Sequence, residues 1–153
     1  MHAIRECLGR GWGCEIDVRG GKLTHEPGDG ESLWDLQDTI GLLLLNIKEA
    51  SDTEELIDFA KKRGQCLIFD MELIGVDPAA IPHELRMPRE AMNGCAVWQD
   101  RPMRRSAPGH YCVSPELHIL LGRKYWWSVW KKDGVAGICT DYPEELDDYL
   151  HSV

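Results

Sequence analysis

At 153 residues the chain is long enough for one domain with a sizeable core and short for two of ordinary size. Apolar residues make up 43%, and with six Trp this composition excludes a disordered chain. The 17 Lys and Arg against 26 Asp and Glu leave a net charge of −9, the wrong sign for a protein whose main task is gripping nucleic-acid phosphates.

Residues 1–12 are charged and broken by glycines, unlike the apolar stretch of a secretory signal. Residues 13–18 form the first short apolar run and predict a strand. Gly20-Gly21-Lys22 predicts a tight turn that returns Leu23-Thr24-His25 antiparallel to it. Leu33, Leu36 and Ile40 stand at helical spacing and predict a helix over 32–40. The longest apolar run, Leu42 to Leu45, lies in a second strand over 42–47 and falls far short of the roughly 20 residues of a membrane span. Ser51-Asp52-Thr53-Glu54 reads as a capping box, followed by Leu56, Ile57, Phe59 and Ala60 on one face. Lys61, Lys62 and Arg63 complement the end of that helix, and Gly64 stops it.

Residues 66–69 predict the next strand. The stretch 77–108 is rich in Pro and Met, and 85–87 is a candidate for one more short strand. Further strands are predicted at 95–98, 111–113 and 136–139, with a helix over 115–132 and a last one opening at Pro143-Glu144-Glu145. Each of the six main apolar runs is followed by polar or charged groups. That is the pattern of buried parallel strands whose carboxyl ends face one common site, hence an α/β fold with a mainly parallel sheet.

The six cysteines never form a C-x-x-C pair, and five sit in or beside apolar runs, where a thiol serves as a small hydrophobe. The expectation is a reduced, cytoplasmic protein without a disulfide framework. The glycines of 9–13 precede a strand, the wrong order for dinucleotide binding. Trp126, Trp127 and Trp130 fit core anchors better than a base-stacking platform.

Glu15-Ile16-Asp17 places two carboxylates on one face of a strand. Such a pair suits a hard cation such as Mg²⁺ or Ca²⁺; on spacing alone the solvated acidic face of an edge strand is the favoured reading. His25 on the returning strand is a candidate proton donor or acceptor, or a histidine that only closes its turn. Asn46 and Lys48 again share a face, and a lysine there suits a phosphate oxygen or a structural ion pair. Asp70, Asp100 and Asp141 read as helix caps after strands, and Glu116 with His118 is a weaker constellation.

Taken in order, Cys14-Glu15-Ile16-Asp17-Val18-Arg19, Leu23-Thr24-His25-Glu26-Pro27, Leu45-Asn46-Ile47-Lys48 and Gly137-Ile138-Cys139-Thr140-Asp141-Tyr142-Pro143 resemble the glycerophosphodiester phosphodiesterase family. This is a branch of the phosphatidylinositol-phospholipase-C-like TIM barrels. The resemblance implies metal ligation by Glu15 and Asp17, with Asn46 and Glu116 as further candidates. It implies acid–base catalysis by His25 and contacts to a small phosphodiester substrate from Lys48 and Arg19. Two departures stand out: Asn46 where the family has a metal-binding Glu, and Glu26 where it has Asp after the histidine.

The family's first strand carries a His-Arg-Gly motif, whereas this chain starts in what reads as the following helix. The expectation is therefore a single domain over 1–153, an incomplete or trimmed TIM barrel lacking the usual first strand. Its implied function is metal-dependent hydrolysis of glycerophosphodiesters, weakened or lost with that strand. The alternative is a non-catalytic descendant that binds metal or a phosphorylated ligand, or serves as an assembly partner. Bare strand edges at 14–18 and 136–140 are expected to be closed by meeting each other in a smaller barrel, by a segment of the same chain or by a second subunit. The last, a homo-oligomer, would hide them best.

Overall fold

All six main apolar runs become strands in the computed structural model, which describes residues 1–92, 94–101, 106–118 and 122–152. The chain divides into two compact units, Met1–Pro88 and Arg89–Val153. No helix among the described residues is long and apolar enough to cross a membrane.

In the first unit the strands are β1 (Cys14–Arg19), β2 (Lys22–Leu23), β3 (Glu31–Ser32), β4 (Leu43–Ile47) and β5 (Cys66–Phe69), in the order β3-β2-β1-β4-β5. β1, β4 and β5 run parallel, whereas β2 and β3 extend the sheet antiparallel. Alternation along the strands divides the sheet's two faces. Ile16, Val18, Leu43, Leu45, Ile47 and Ile68 point to one side. There they pack in one core with Leu33, Leu36, Leu56 and Phe59. Each such side chain contributes roughly 1.5–3 kcal/mol on burial. The residues between them, Glu15, Asp17 and Arg19 on β1 and Leu44 and Asn46 on β4, belong to the opposite face.

The helices of this unit are α1 (His2–Gly9) and α2 (Thr53–Arg63). The expected capping box does not form. Ser51 lies in a 3₁₀ turn, Ala50–Asp52, and the helix starts after it. Asp52 leaves the helix end uncapped and accepts the Gly20 N–H at 2.8 Å instead, holding the β1–β2 turn. Gly64 does end the helix, at φ 73°.

The helix expected over 32–40 shrinks to a 3₁₀ turn, Leu33–Leu36, capped by Ser32. Leu33 and Leu36 are buried, but Ile40 is 83% exposed and cannot extend an apolar stripe. The Thr39 hydroxyl and the Arg63 guanidinium donate to the Leu36 carbonyl, satisfying it without another helical turn.

In the second unit β6 (Val97–Gln99), β7 (His110–Val113) and β8 (Gly137–Cys139) form a parallel sheet in that order. α3 (Arg123–Asp133) and α4 (Pro143–His151) accompany them, with α4 where Pro143 predicts it. Cys112, Trp127, Trp130 and Leu146 form one buried cluster, so two of the tryptophans are anchors as expected. The helix expected over 115–132 is instead a 3₁₀ turn, Pro115–His118, and α3, which starts after Gly122 at φ 89°. Residues 119–121 of that expected helix, and 93 and 102–105 of the Pro- and Met-rich stretch, lie outside the described residues.

The barrel is therefore corrected: the described strands form a five-stranded mixed sheet and a three-stranded parallel one, with no closed barrel. Two local causes are visible. After β5 the chain makes three 3₁₀ turns, at Met71–Ile74, Pro78–Ala80 and His83–Leu85, where a barrel would go on to helix and strand. Pro78, Pro82 and Pro88 each lack a ladder donor, and the strand expected at 85–87 is reduced to one bridge, Ile68 to Arg86. At the other side of the sheet the antiparallel hairpin takes the carboxyl end of β1's outer edge, pairing Val18 with Leu23 and Arg19 with Lys22. That edge, expected to be bare from 14 to 18, is partly covered by the chain itself.

None of the six cysteines is bridged to another. Burial pushes the thiols of Cys14 and Cys112 up to about 12, which makes them packing groups and not nucleophiles.

Candidate functional site

Parallel pairing brings the carboxyl ends of β1 and β4 together, the end at which open α/β sheets bind ligands. The register sets Asp17 beside Asn46 and Glu15 beside Leu44. The ladder continues one residue further, because the Lys48 N–H donates to the Val18 carbonyl at 3.0 Å. Glu15, Asp17, Asn46 and Lys48 are thus neighbours on the face away from the main core.

Asp17 is the hub. Its Oδ1 is 2.8 Å from Lys48 Nζ and its Oδ2 is 2.7 Å from His25 Nδ1. A carboxylate on Nδ1 holds the proton there and leaves Nε2 as the free acceptor of the neutral ring. Glu26 Oε1 stands 3.7 Å from that Nε2, and the imidazole is 67% exposed.

Glu15 is deeper. Burial, and next the negative charge of Asp17, push its carboxyl up to about 7. A hydrogen bond from Asn46 and the charge of Lys48 act the other way, and Asp70 adds to the rise. Asn46 is only 7% exposed, and its Oδ1 is buried with no hydrogen-bond partner. An orphaned amide oxygen of this kind costs about 1–3 kcal/mol unless something meets it.

The hairpin that delivers His25 is held at several points. Gly20 and Gly21 both have positive φ, 57° and 66°, as a two-residue hairpin turn requires. A Cβ on Gly21 would come within 2.8 Å of Glu55 Oε2, so α2 closes over the turn. The Thr24 N–H donates to the Asp17 carbonyl at 3.2 Å, and the Thr24 hydroxyl to the Glu26 carbonyl at 2.7 Å. Arg19 Nη1 pairs with Glu49 Oε1 at 2.7 Å, and its Nε donates to the His25 carbonyl at 3.4 Å. Arg19, expected to hold substrate, is engaged in holding this loop.

Of the residues singled out from sequence, Glu15, Asp17, Arg19, His25, Asn46 and Lys48 all belong to this cluster. Glu116 belongs to the second unit, where its carboxylate accepts from the hydroxyls of Ser114 and Thr140. Asp100 pairs with Arg89 and does not cap a helix. At the start of α4 it is Thr140, not Asp141, whose side chain takes the free N–H of Tyr142. Asp70 follows β5 in the left-handed conformation, φ 66°, and its side chain makes no cap.

Sequence reasoning missed Glu49, Asp52 and Glu55. Their signal was faint: acids around the start of a helix ordinarily serve the helix dipole, and only the fold brings them to the hairpin.

The donor set can be tested against a divalent cation. Among the described residues no group of three or more His, Cys, Asp or Glu gathers as a ligand set. What the cluster offers is two carboxylates and an amide oxygen, all hard donors. One carboxylate is raised in pKa by burial and by its neighbour, and the amide oxygen is orphaned. Those are the groups that a hard cation would relieve. Comparison with protein-family models, curated proteins and solved structures finds no match to this chain.

Proposed function

We propose that the β1–β4 strand ends form a divalent-cation site that binds a small phosphodiester, in the manner that the glycerophosphodiester phosphodiesterase resemblance implies. The observation that carries this reading is the buried, unpartnered Oδ1 of Asn46 beside the Glu15–Asp17 pair. Glu15, Asp17 and Asn46 would hold the cation, Mg²⁺ or Ca²⁺. Bound there, it would supply Lewis-acid polarisation of the phosphoryl oxygens.

The protein's own groups divide the remaining work. Lys48 carries the positive charge nearest the carboxylates and suits a phosphate oxygen. His25, oriented by Asp17, presents Nε2 to take a proton from an attacking water or to return one to the leaving alkoxide. Arg19 and Glu49 hold the loop that carries it.

Hydrolysis needs a proton removed at one side of phosphorus and added at the other, and His25 is the one histidine in this cluster. A missing acid–base partner typically costs about 10²–10⁴ in rate, so the reading is of slow turnover. The exposure of His25 favours a second reading, binding without catalysis, since proton transfer of this kind works best where water is excluded. Both readings set the protein in the reducing cytoplasm, which suits its unbridged cysteines.

The test is hydrolysis of glycerophosphodiesters with and without Mg²⁺ or Ca²⁺, in wild type and His25→Ala. Slow, cation-dependent release of alcohol that His25→Ala abolishes is the expected result. Activity undiminished in His25→Ala would assign proton transfer to another group. Cation binding without any hydrolysis would leave the binding reading.

A further inference from the structure

Lys48 and a divalent cation make competing claims on one carboxylate oxygen. Lys48 Nζ lies 2.8 Å from Asp17 Oδ1, and both side chains are largely withdrawn from water, at 18% and 23% exposure. The ammonium therefore already stands where positive charge is wanted, acting on Asp17 directly and on Glu15 through space. We propose that Lys48 is a built-in rival of the cation for Asp17, and that cation binding releases its ammonium to hold the phosphate. The two ligands then load in order, cation first. This inference rests on the functional reading above and deepens it.

Three observations support the exchange. The second Asp17 oxygen is bonded to His25 Nδ1, an N–H that can stay on a carboxylate when that carboxylate ligates a metal. An ammonium beside a dication cannot stay without repulsion, so Lys48 is the partner that leaves. The root of Lys48 is fixed by its backbone bond to Val18, while its four-carbon stem lets the ammonium swing without moving the strand. Finally, both basic groups at this strand end are paired with carboxylates, Lys48 with Asp17 and Arg19 with Glu49. A phosphate arriving first would have to break an ion pair, whereas one arriving after the cation finds the ammonium released.

The test is calorimetric titration of the whole chain with Mg²⁺ and with inorganic phosphate, on wild type and Lys48→Met. Removing the rival should tighten Mg²⁺ binding about fivefold or more, while phosphate affinity at saturating Mg²⁺ should fall by a similar factor. In wild type, saturating Mg²⁺ should raise phosphate affinity about fivefold or more. Circular dichroism checks that Lys48→Met is folded; Lys48→Gln serves if it is not, and the wild-type titrations need no variant. Equal or weaker Mg²⁺ binding in a folded variant would overturn the rivalry while leaving the cation site standing. Phosphate affinity indifferent to Mg²⁺ in wild type would overturn the ordering. Absence of Mg²⁺ binding in wild type and variants alike would remove the site together with the inference.

Discussion

The two units end their parallel strands in polar groups, yet they use them in opposite ways. In the second unit Glu116 takes both the Ser114 and Thr140 hydroxyls, and Ser114 also accepts from Trp127 Nε1 at 2.8 Å. Ser114 is itself fully buried, and its N–H is bonded to Cys139 across the β7–β8 ladder. The Ser114 and Glu116 side chains are satisfied within this network, which ties two strand ends to a core tryptophan. In the first unit two carboxylates crowd one strand face, an amide oxygen is left over, and a lysine balances the charge.

The difference teaches where chemistry can arise at a strand end. Glu15 and Asp17 lie within β1, so the pleat forces them side by side. Glu116 lies beyond β7 in a 3₁₀ turn, free to fold back on the nearest hydroxyls. An acid beyond the strand can fold back on nearby hydroxyls, whereas acids within the strand must share one face and the partners that reach it.

The largest effect should come from breaking the satisfied network. Trp127→Ala removes a fully buried indole and the donor to Ser114, and should destabilise by about 3–5 kcal/mol in urea unfolding. A loss under about 1 kcal/mol would show that this network is not the anchor of its unit.

The next largest sharpens the contrast through pH. The Glu15 carboxyl is raised from 4.5 to about 7, so its proton is held more tightly in the folded state. Its stabilising contribution is full below the unfolded value and is lost as pH rises through the folded one. Between pH 4.5 and 8 the protein should thus lose about 2–3 kcal/mol from this group. Glu15→Gln should flatten that slope in denaturant titrations at several pH values. An unchanged slope would mean that Glu15 is not the titrating group.

The smallest effect is expected at Arg19, whose ion pair with Glu49 is partly open to water. Arg19→Ala should change stability by less than about 1 kcal/mol. If Arg19 does hold the His25 loop, the variant's amides at 24–26 should nonetheless exchange faster with solvent. Unaltered exchange there would remove Arg19 from the positioning of His25.

Much of this was written in local sequence. The six apolar runs became strands because a few apolar residues need only a short extended segment and a partner. Glu15 and Asp17 share a face because alternation in a strand admits nothing else. The Gly20-Gly21 turn and the antiparallel return are likewise local, since two glycines at positive φ are what such a hairpin demands.

Tertiary structure decided the rest. That Asp52 serves Gly20 and not its own helix depends on α2 lying against the hairpin, 32 residues away in sequence. That Glu116 is spent on Ser114 and Thr140 depends on the β7–β8 pairing, which sets those two hydroxyls on the same carboxylate. The barrel suggested by the rhythm of strands did not follow, because closure depends on hydrogen bonds between distant segments. A run of 3₁₀ turns after β5 and a hairpin on the edge of β1 were enough to redirect them. Periodicity reports which residues are buried; which strand lies beside which is a matter of long-range pairing that no local pattern encodes.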